Sequence, residues 1–512
     1  MAIKIGGTTV IDDSRELSNI ASVDATTVAA LGAAGVGGGG SSVDLIASGT
    51  LSNGDTVIVN ADGTVSVVDG SSEDIGTKTK IHNNNSADFA AIFDSSNNKV
   101  IVAHRQVQVG GYPAVNIGTI SGTTIIFGGE TNPVTGSVEY IKMAYDSFNN
   151  KIVIGWKKNT GADNAQVSVG TVSGSSISWG SAVDVTTDLT ILQDISFDSS
   201  NNKILVTYRR QSAGYYPTCV VGTVSGTSIS FGTPVVMVSA NYSIAGVIFD
   251  SSVSKFVFLN GGSPFYVVGT ISGTSISFGS QTNMNLAIPQ GYSLVVASGT
   301  FDSLNNKIVI ISTNYNASPA NHIALAGSLS GNTITFGAPF EMTESLSQSG
   351  FSTVFDNSIN KIIHTYRSNT SGSFKQYYTV GTVSGTSISF AAPSVYLDVQ
   401  ANNAISIFDP NVDKVITFFS DDSASNSPNG IVFAPGYSNL NNQNFLGFSD
   451  GAYSNSQTAT VQLVGAVNEA QSSLTTGSKH YVQADGTLSV TPGSVEVYAG
   501  LAVSATKIAV KG

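Results

Sequence analysis

The sequence predicts an all-β fold, a seven-bladed β-propeller, from three observations. One motif recurs seven times at nearly constant spacing, each repeat divides into four short strands, and the composition suits strands joined by tight turns. Glycine occupies 54 of the 512 positions, and charged residues make up 11% of the chain, against about 25% in an average soluble domain. With 41% hydrophobic residues, the chain has enough apolar content to fold rather than remain disordered.

The repeated motif is an aromatic residue and Asp, then four mostly small or polar residues, then Lys, as in Phe93-Asp94 to Lys99. Successive aspartates of the motif are separated by 52, 52, 52, 52, 54 and 53 residues. Its seven aspartates are Asp94, Asp146, Asp198, Asp250, Asp302, Asp356 and Asp409. A fixed period of this length is the signature of a repeat architecture.

Each repeat predicts four strands, which we name A to D. Strand A ends at the Phe-Asp pair, B begins at the Lys, C ends in a Gly-Thr-apolar-Ser-Gly block, and D is a Ser-Ile-Ser-Phe segment. Asp and Asn between A and B, and Ser-Gly between C and D, are turn signals. We expect the flanking Asp and Lys to form a cross-strand pair of opposite charge. Seven such repeats indicate a propeller; a parallel β-helix is the alternative, although its repeats are normally shorter.

The ends of the repeat array predict how the ring closes and where the chain divides. The seventh repeat lacks strand D, and residues 61–70 resemble it, so we expect residues 63–69 to complete blade seven. This assigns the propeller to residues 81–438, a small β segment to 44–80 and a small C-terminal β module to 439–512. Residues 1–43, with a Gly-rich linker and an expected short helix over 26–35, are predicted to be an anchor or oligomerisation segment; a disordered tail is the alternative.

Charge and motif content argue against several classes of function. The net charge of −12 and the absence of Lys/Arg clusters argue against nucleic acid binding, and no apolar run is long enough to predict membrane insertion. The five histidines show no metal-ligand spacing, and the sequence has a single cysteine, Cys219. Nucleophile-elbow, phosphate-loop and sialidase-type motifs are also missing from convincing contexts. We therefore expect no metal, no cofactor and no catalysis.

The end segments of the chain carry a resemblance to a known group. The opening IKIGGTTVIDDSRELSNI and the closing region from NFLGFSDGAYS to SATKIAVKG resemble segments that begin and end tail-fibre and virion structural proteins of marine bacteriophages, notably cyanophages. The central FDSSNNK and VGTVSG repeats are similar to repeats in the same group. The resemblance therefore covers nearly the whole chain.

The resemblance implies a virion structural protein, which we expect in the tail rather than on the capsid surface. Its expected partners are other virion proteins, bound through residues 1–43, and a host surface glycan or protein. A homotrimer is also implied, since phage fibres are commonly trimeric, although a closed propeller needs no partner to fold. A capsid-decorating or head-fibre protein is the main alternative, and a glycan-cleaving enzyme is the second.

The loops between strands B and C are the candidate binding surface. They differ in every repeat and carry aromatic residues and arginines, which commonly anchor recognition surfaces. Aromatic rings stack on sugars, and arginine can hold an acidic group. The alternative is that some of these side chains, particularly Tyr208 and Tyr366, pack between blades. The candidate ligand-binding residues are Tyr112, Trp156, Tyr208, Arg209, Tyr215, Tyr216, Tyr366, Arg367, Tyr377 and Tyr378.

Overall fold

The computed structural model divides the chain into two compact units. One comprises residues 73–435, and the other combines residues 1–72 with residues 436–512. The structure describes residues 3–5, 8–11, 41–60, 62–159, 161, 163–262, 264–284, 294–314, 321–342, 350–368, 375–493 and 495–511. Most of the predicted anchor, including the helix expected over 26–35, lies outside these residues.

The unit of residues 73–435 is a seven-bladed β-propeller, as the repeats predict. Each blade is an antiparallel sheet in which strands A, B, C and D follow one another in order. The A strands are Ser86–Asp94, Val138–Asp146, Thr190–Asp198, Ile244–Asp250, Leu294–Asp302, Ser352–Asp356 and Ala401–Asp409. The B strands are Lys99–Gln106, Lys151–Lys158, Lys203–Arg210, Lys255–Asn260, Lys307–Asn314, Lys361–Arg367 and Lys414–Asp421. The C strands are Tyr112–Ser121, Ala165–Ser173, Tyr216–Ser225, Phe265–Ser272, Asn321–Ser330, Gln376–Ser384 and Ser427–Ala434.

The outermost strand of most blades is divided into two pieces. Strand D pairs with the second half of strand C, and a short piece, D′, pairs with its first half. The D strands of blades one to six are Thr124–Phe127, Ser176–Trp179, Ser228–Phe231, Ser275–Phe278, Thr333–Phe336 and Ser387–Phe390. The D′ strands of blades two to six are Val183–Asp184, Val235–Val236, Thr282–Asn283, Phe340–Met342 and Ser394–Leu397.

The predicted closing strand, residues 63–69, was wrong. Val65–Val67 pairs with Thr56–Val59 in the other unit. Blade seven is completed instead by Asp74–Ile75 and Thr79–Lys80, which pair with its strand C as D and D′. Residues 63–69 have the regular apolar alternation of a strand D, whereas the segment that closes the ring is short, charged and interrupted.

The hydrophobic core of the propeller lies between neighbouring blades. Ile101 and Ile154 belong to the cluster between blades one and two, and Val153 and Val206 to the next. The ring is closed by the same kind of packing, because Phe89 and Val100 of blade one share a cluster with Phe418 of blade seven. Burial of these side chains, at about 25 cal/mol per Å² of apolar surface, is the main force that holds adjacent blades together.

The turn between strands A and B has the predicted cross-strand pair of opposite charge, although the carboxylate and the ammonium of blade one make their hydrogen bonds elsewhere. Asp94 and Lys99 are direct cross-strand partners. The Asp94 carboxylate, however, accepts hydrogen bonds from the backbone N–H groups of Ser96 and Asn97, at 3.0 Å each, and from the Asn97 side chain at 2.8 Å. Lys99 Nζ donates instead to Thr119 Oγ1 at 2.8 Å. The Asp therefore stabilises the turn, and the Lys ties strand B to strand C.

The second unit is built from both ends of the chain. The expectation of a separate segment over 44–80 and module over 439–512 differs from the structure, in which one sheet interleaves strands from the two regions. Its strands, in sheet order, are Ser42–Ile46, Thr458–Gln462, Phe445–Ser449, Thr56–Val59 and Val65–Val67. The other sheet contains Val467–Asn468, Lys507–Val510, Val497–Ser504, Lys479–Val482 and Leu488–Ser489. Two short pairs complete the unit: Ile3–Ile5 with Thr8–Ile11, and Gly70–Ser71 with Tyr437–Ser438.

Candidate functional site

The strand order places all B–C loops on one face of the propeller. Strand A begins where strand B ends, as the pairing of Thr190 with Arg210 and of Ser86 with Gln106 illustrates. The B–C loops and the connections between blades therefore lie at one end of each sheet, which we call the loop face. The A–B and C–D turns lie at the opposite end, the turn face.

Four of the ten predicted ligand-binding residues are buried and are wrong as exposed anchors. They are Trp156, Tyr208, Tyr366 and Tyr378. The first three occupy one structural position, five residues after the lysine of strand B, where the side chain faces a neighbouring blade. Burial raises the pKa of the Tyr208 hydroxyl well above its usual value. Packing between blades, the alternative for Tyr208 and Tyr366, is what the structure shows.

Tyr378 belongs to the ring closure rather than to the loop face. Its hydroxyl donates a hydrogen bond to Glu73 Oε1 at 2.9 Å, immediately before the closing segment. Its ring stacks on Phe433 of blade seven with centroids 5.2 Å apart. This tyrosine therefore links blades six and seven at the point where the ring is completed.

Two further candidates, Arg367 and Tyr377, are half-buried in blade six. Arg367 donates from Nη1 to Asn402 Oδ1 of blade seven. Tyr377 stacks against the buried Tyr366 ring, with centroids 5.8 Å apart and ring planes 11° apart. These contacts place both side chains at the edge of the core. The middle of their loop, residues 369–374, lies outside the described residues.

The structure brings Arg209, Tyr215 and Tyr216 together on the loop face of blade three. The Arg209 guanidinium carbon lies 5.5 Å from the centroid of the Tyr215 ring, a cation–π arrangement. Arg209 Nη1 lies 3.5 Å from Asn241 Oδ1, at the limit of a hydrogen bond. Tyr215 is 39% exposed, and Tyr216 is half-buried beside it. We call Leu189, Arg209, Tyr215, Tyr216 and Asn241 the blade-three patch.

The backbone of Tyr215 is in a conformation that favours glycine. The loop contains a 3-10 turn over Gln211–Ala213, followed by Gly214 at φ 74° and Tyr215 at φ 63°. Blade one has the same loop, with a 3-10 turn over Val107–Val109, but there the second left-handed position is Gly111 at φ 74°. A left-handed conformation costs a residue with a side chain about 1–2 kcal/mol. Blade three therefore maintains an exposed aromatic ring at a conformational cost that blade one avoids.

The remaining candidate, Tyr112, follows that glycine in the blade-one loop. It aligns with Tyr216, since both begin strand C, pair with the last residue of strand B and precede a proline. Tyr112 is exposed, and Arg105 nearby in sequence is paired with Asp88, with 2.7 Å between Nε and Oδ2. The blade-one loop therefore offers an exposed ring without an unpaired guanidinium.

The charges of the blade-three patch leave one cation uncompensated. Arg210 Nη2 lies 2.7 Å from Asp188 Oδ2, a salt bridge between half-buried side chains. Arg209 has no carboxylate within salt-bridge distance among the described residues. Its Nε is buried without a hydrogen-bond partner there. In a chain of net charge −12, the patch is a local site of positive charge next to an aromatic ring.

Leu189 and Asn241 were missed by the sequence reasoning. Both lie in connections between blades, which the B–C loop comparison did not include. Leu189 is 44% exposed, and its carbonyl accepts from Gln211 N–H at 2.9 Å, which places it at the base of the loop. The contrast between GGYP in blade one and GYYP in blade three was readable in the sequence and is the signal that singles out Tyr215.

A separate cleft of about 310 Å³ lies between blades five and six. Its walls include Phe340, Tyr366 and Phe390, and Glu341 is the charged residue among the side chains that line it. Tyr366 thus forms part of a wall although it is almost fully buried. With one carboxylate and no cation in its lining, this cleft differs in chemistry from the blade-three patch.

Two pairs of histidines approach each other in the propeller. His322 Nδ1 and His364 Nε2 are 2.9 Å apart between blades five and six, and the rings of His82 and His104 are 4.7 Å apart. Neither pair is joined by a third His, Cys, Asp or Glu at metal-ligand distance in the described part of the chain. No helix of the described ranges has the length and apolarity needed to cross a membrane.

The comparisons with known proteins identify the fold. No protein family model and no curated protein matches the chain. Similar solved structures include the BP39L lectin from Burkholderia pseudomallei, with 11% identity and a TM-score of 0.50 over 70% of this chain and 98% of the lectin. The Cps50 (Swd1) β-propeller domain of Myceliophteria thermophila has 8% identity and a TM-score of 0.45 over 71% of this chain and 100% of that domain. The periplasmic gluconolactonase PpgL of Pseudomonas aeruginosa has 10% identity and a TM-score of 0.45 over 70% of this chain and 97% of the gluconolactonase. At these identities the likeness concerns the β-propeller fold alone.

Proposed function

We propose that this chain is a structural protein of a bacteriophage virion, a tail fibre whose loop face contacts the host cell surface without catalysis. The resemblance of both end segments to virion proteins of marine bacteriophages supports the virion assignment. Residues 1–43 are proposed to bind other virion proteins. The propeller then acts as a rigid body that presents its loops, since binding residues are commonly placed on loops that a rigid scaffold positions.

The observation that carries the proposal is the conformation of Tyr215. Tyr215 is 39% exposed, so it gains less from burial than a core tyrosine does to offset the cost of its left-handed backbone. The equivalent loop of blade one reaches the same backbone shape with glycine. Strained residues of this kind cluster at sites that bind ligands, and exposed tyrosines with adjacent arginines commonly dominate recognition surfaces. Recognition of a partner is the gain that accounts for Tyr215.

Replacement of Tyr215 by glycine separates recognition from stability. Tyr215→Gly stabilises the folded state by removing the backbone strain. It destabilises the protein by removing the cation–π contact and by giving the unfolded chain more backbone freedom. These effects oppose each other, so we expect the free energy of unfolding to change by about 1 kcal/mol or less. Saturable binding of the fluorescently labelled protein to host bacteria should weaken about tenfold, the effect of losing a central aromatic anchor.

The control is Phe148→Ala, which removes a ring that is 69% exposed on the turn face. This variant should bind host cells as the unmodified protein does. If Tyr215→Gly also binds normally while retaining its thermal stability, the blade-three patch is not the contact surface. If the unmodified protein does not bind any host that the phage infects, the attachment function itself is refuted.

A further inference from the structure

We infer that the blade-three patch binds a carboxylate-bearing saccharide, such as a uronic acid residue of a cell-surface polysaccharide. This inference rests on the proposed function and specifies the chemical class of its ligand. It depends on three features of the patch: a guanidinium without an acidic partner, an exposed ring beside it, and amide and hydroxyl groups around both.

The guanidinium favours an anion over a neutral ligand. Arg105 of blade one, which occupies the position of Arg209, pairs with Asp88 at 2.7 Å, and Arg210 pairs with Asp188 at the same distance. Arg209 is adjacent to Arg210 in sequence, yet among the described residues its polar side-chain contact is the 3.5 Å approach to the Asn241 amide oxygen. Arginine presents its N–H donors in a planar fork that matches the two oxygens of a carboxylate. A ligand carboxylate would supply the partner that the described protein residues do not.

The ring favours a saccharide over a simple anion. The Tyr215 ring has the Arg209 guanidinium over one face, and the residue is 39% exposed to solvent. An aromatic ring offers a flat apolar platform, whereas a small inorganic anion gains nothing from it. A sugar ring carries both an apolar C–H surface and hydroxyl groups. Asn241 and Tyr216 lie beside the platform, where their polar atoms can exchange hydrogen bonds with such hydroxyls.

The surroundings of the patch limit what else could bind there. The chain carries a net charge of −12, so a polyanion is repelled by most of the surface and attracted only where cations are uncompensated. The Arg210–Asp188 pair keeps one carboxylate close to the patch. Such an arrangement suits a saccharide that places one of its carboxylates on Arg209, with the rest of its binding set by the geometry of the patch.

The test compares two polysaccharides with the same sugar backbone, one with free carboxylates and one with its carboxyl groups neutralised as methyl esters. Binding of the full-length protein to polygalacturonate and to its fully methyl-esterified form is measured by titration calorimetry or biolayer interferometry. We expect polygalacturonate to bind at least tenfold more tightly than the ester, with an affinity that decreases as salt is added because the contact is partly exposed. Equal binding of the two polymers would overturn the carboxylate assignment.

Variants of the patch identify the groups responsible. Arg209→Gln should weaken polygalacturonate binding at least tenfold, and Arg209→Lys should weaken it less, because the charge remains but the planar fork is lost. Lys80→Gln changes the net charge equally at an exposed side chain of blade seven and should leave binding unaltered. Loss of binding in Lys80→Gln as severe as in Arg209→Gln would mean a general charge effect and would overturn the site.

Cell binding distinguishes the failure of this inference from the failure of the proposed function. If polygalacturonate does not bind while the labelled protein binds host cells and Tyr215→Gly abolishes that binding, the ligand class is wrong and the attachment site is right. If neither the polymer nor the cells bind, both are wrong.

Discussion

Buried histidines make the stability of the propeller depend on pH. Burial, with the neighbouring His82 as a smaller cause, lowers the pKa of His104 from 6.5 to about 3. Burial and then His322 lower the pKa of His364 well below 6.5. In the unfolded chain these side chains take up protons near pH 6.5, whereas in the folded protein they do so only at much lower pH. The unfolded state therefore binds more protons between these values, and stability decreases as the pH falls.

We predict that His104→Gln reduces this pH dependence. Between pH 6 and pH 4, each such histidine should lower the free energy of unfolding of the unmodified protein by about 1.4 kcal/mol per pH unit. In His104→Gln the contribution of one histidine is absent, so the slope should be smaller by about 1.4 kcal/mol per pH unit. Asp194 acts in the opposite direction, because burial, opposed by Lys142, raises its pKa from 3.8 to about 6. Urea unfolding at several pH values measures the slopes. An unchanged slope in His104→Gln would contradict the assignment.

At the scale of elements, the closing segment is the feature on which the ring depends. Its two short strands form four residue pairs with strand C of blade seven, and side-chain contacts add to them. Lys414 Nζ lies 2.8 Å from Asp74 Oδ2, and Lys78 pairs with Asp421, whose side chain is fully buried. Burial opposes ionisation of Asp421, but hydrogen bonds from Lys78 and Ser423 outweigh it and lower the pKa of that carboxyl.

We predict that Lys78→Met destabilises the propeller by about 1–3 kcal/mol, because it leaves the Asp421 carboxylate buried without its cation. Hydrogen exchange should increase first in blade seven. Thermal unfolding and hydrogen-exchange measurements test this prediction. The control is Lys80→Met, which changes an exposed side chain in the next short strand, two residues after Lys78. Equal effects of the two substitutions, or unaltered exchange in blade seven, would argue against the role of the closing segment.

The closing segment also illustrates which elements could be predicted from the sequence. Six blades repeat one buried pattern, so their strands and register could be inferred from period and alternation. Blade seven takes its outer strand from residues 74–80, where alternation is interrupted after two residues. A weaker signal was present: Ile75-Gly76-Thr77 matches Phe231-Gly232-Thr233 of blade three. Gly76 and Gly232 both approach the C–D turn of the next blade so closely that a Cβ would lie within 2.0 Å of a backbone oxygen.

The candidate site could be predicted only in part, for a related reason. The sequence identified the loop face and named Arg209, Tyr215 and Tyr216, but it could not tell outward from inward aromatic residues. Trp156, Tyr208 and Tyr366 lie near the end of strand B, where an exposed residue is equally expected from the sequence. Their side chains are nevertheless buried against a neighbouring blade. That distinction depends on the packing of blades against each other, which neither composition nor loop length records.

At the scale of the whole molecule, both chain ends contribute to one unit, and the chain enters and leaves the propeller at one place. Asp74 and Ala434 are paired residues of blade seven, at the position where other blades have a C–D turn. The chain therefore enters and leaves the propeller at blade seven, at the end of the sheet that forms the turn face.

The most direct test of the account is competition for phage adsorption. Purified virions that carry this protein are mixed with host cells in the presence of excess free protein, and unadsorbed phage are counted. We predict that the unmodified protein slows adsorption in a saturable manner and that an equally stable protein with both Arg209→Gln and Tyr215→Gly does not. Adsorption unaffected by the unmodified protein, or slowed equally by both proteins, would contradict attachment through the blade-three patch.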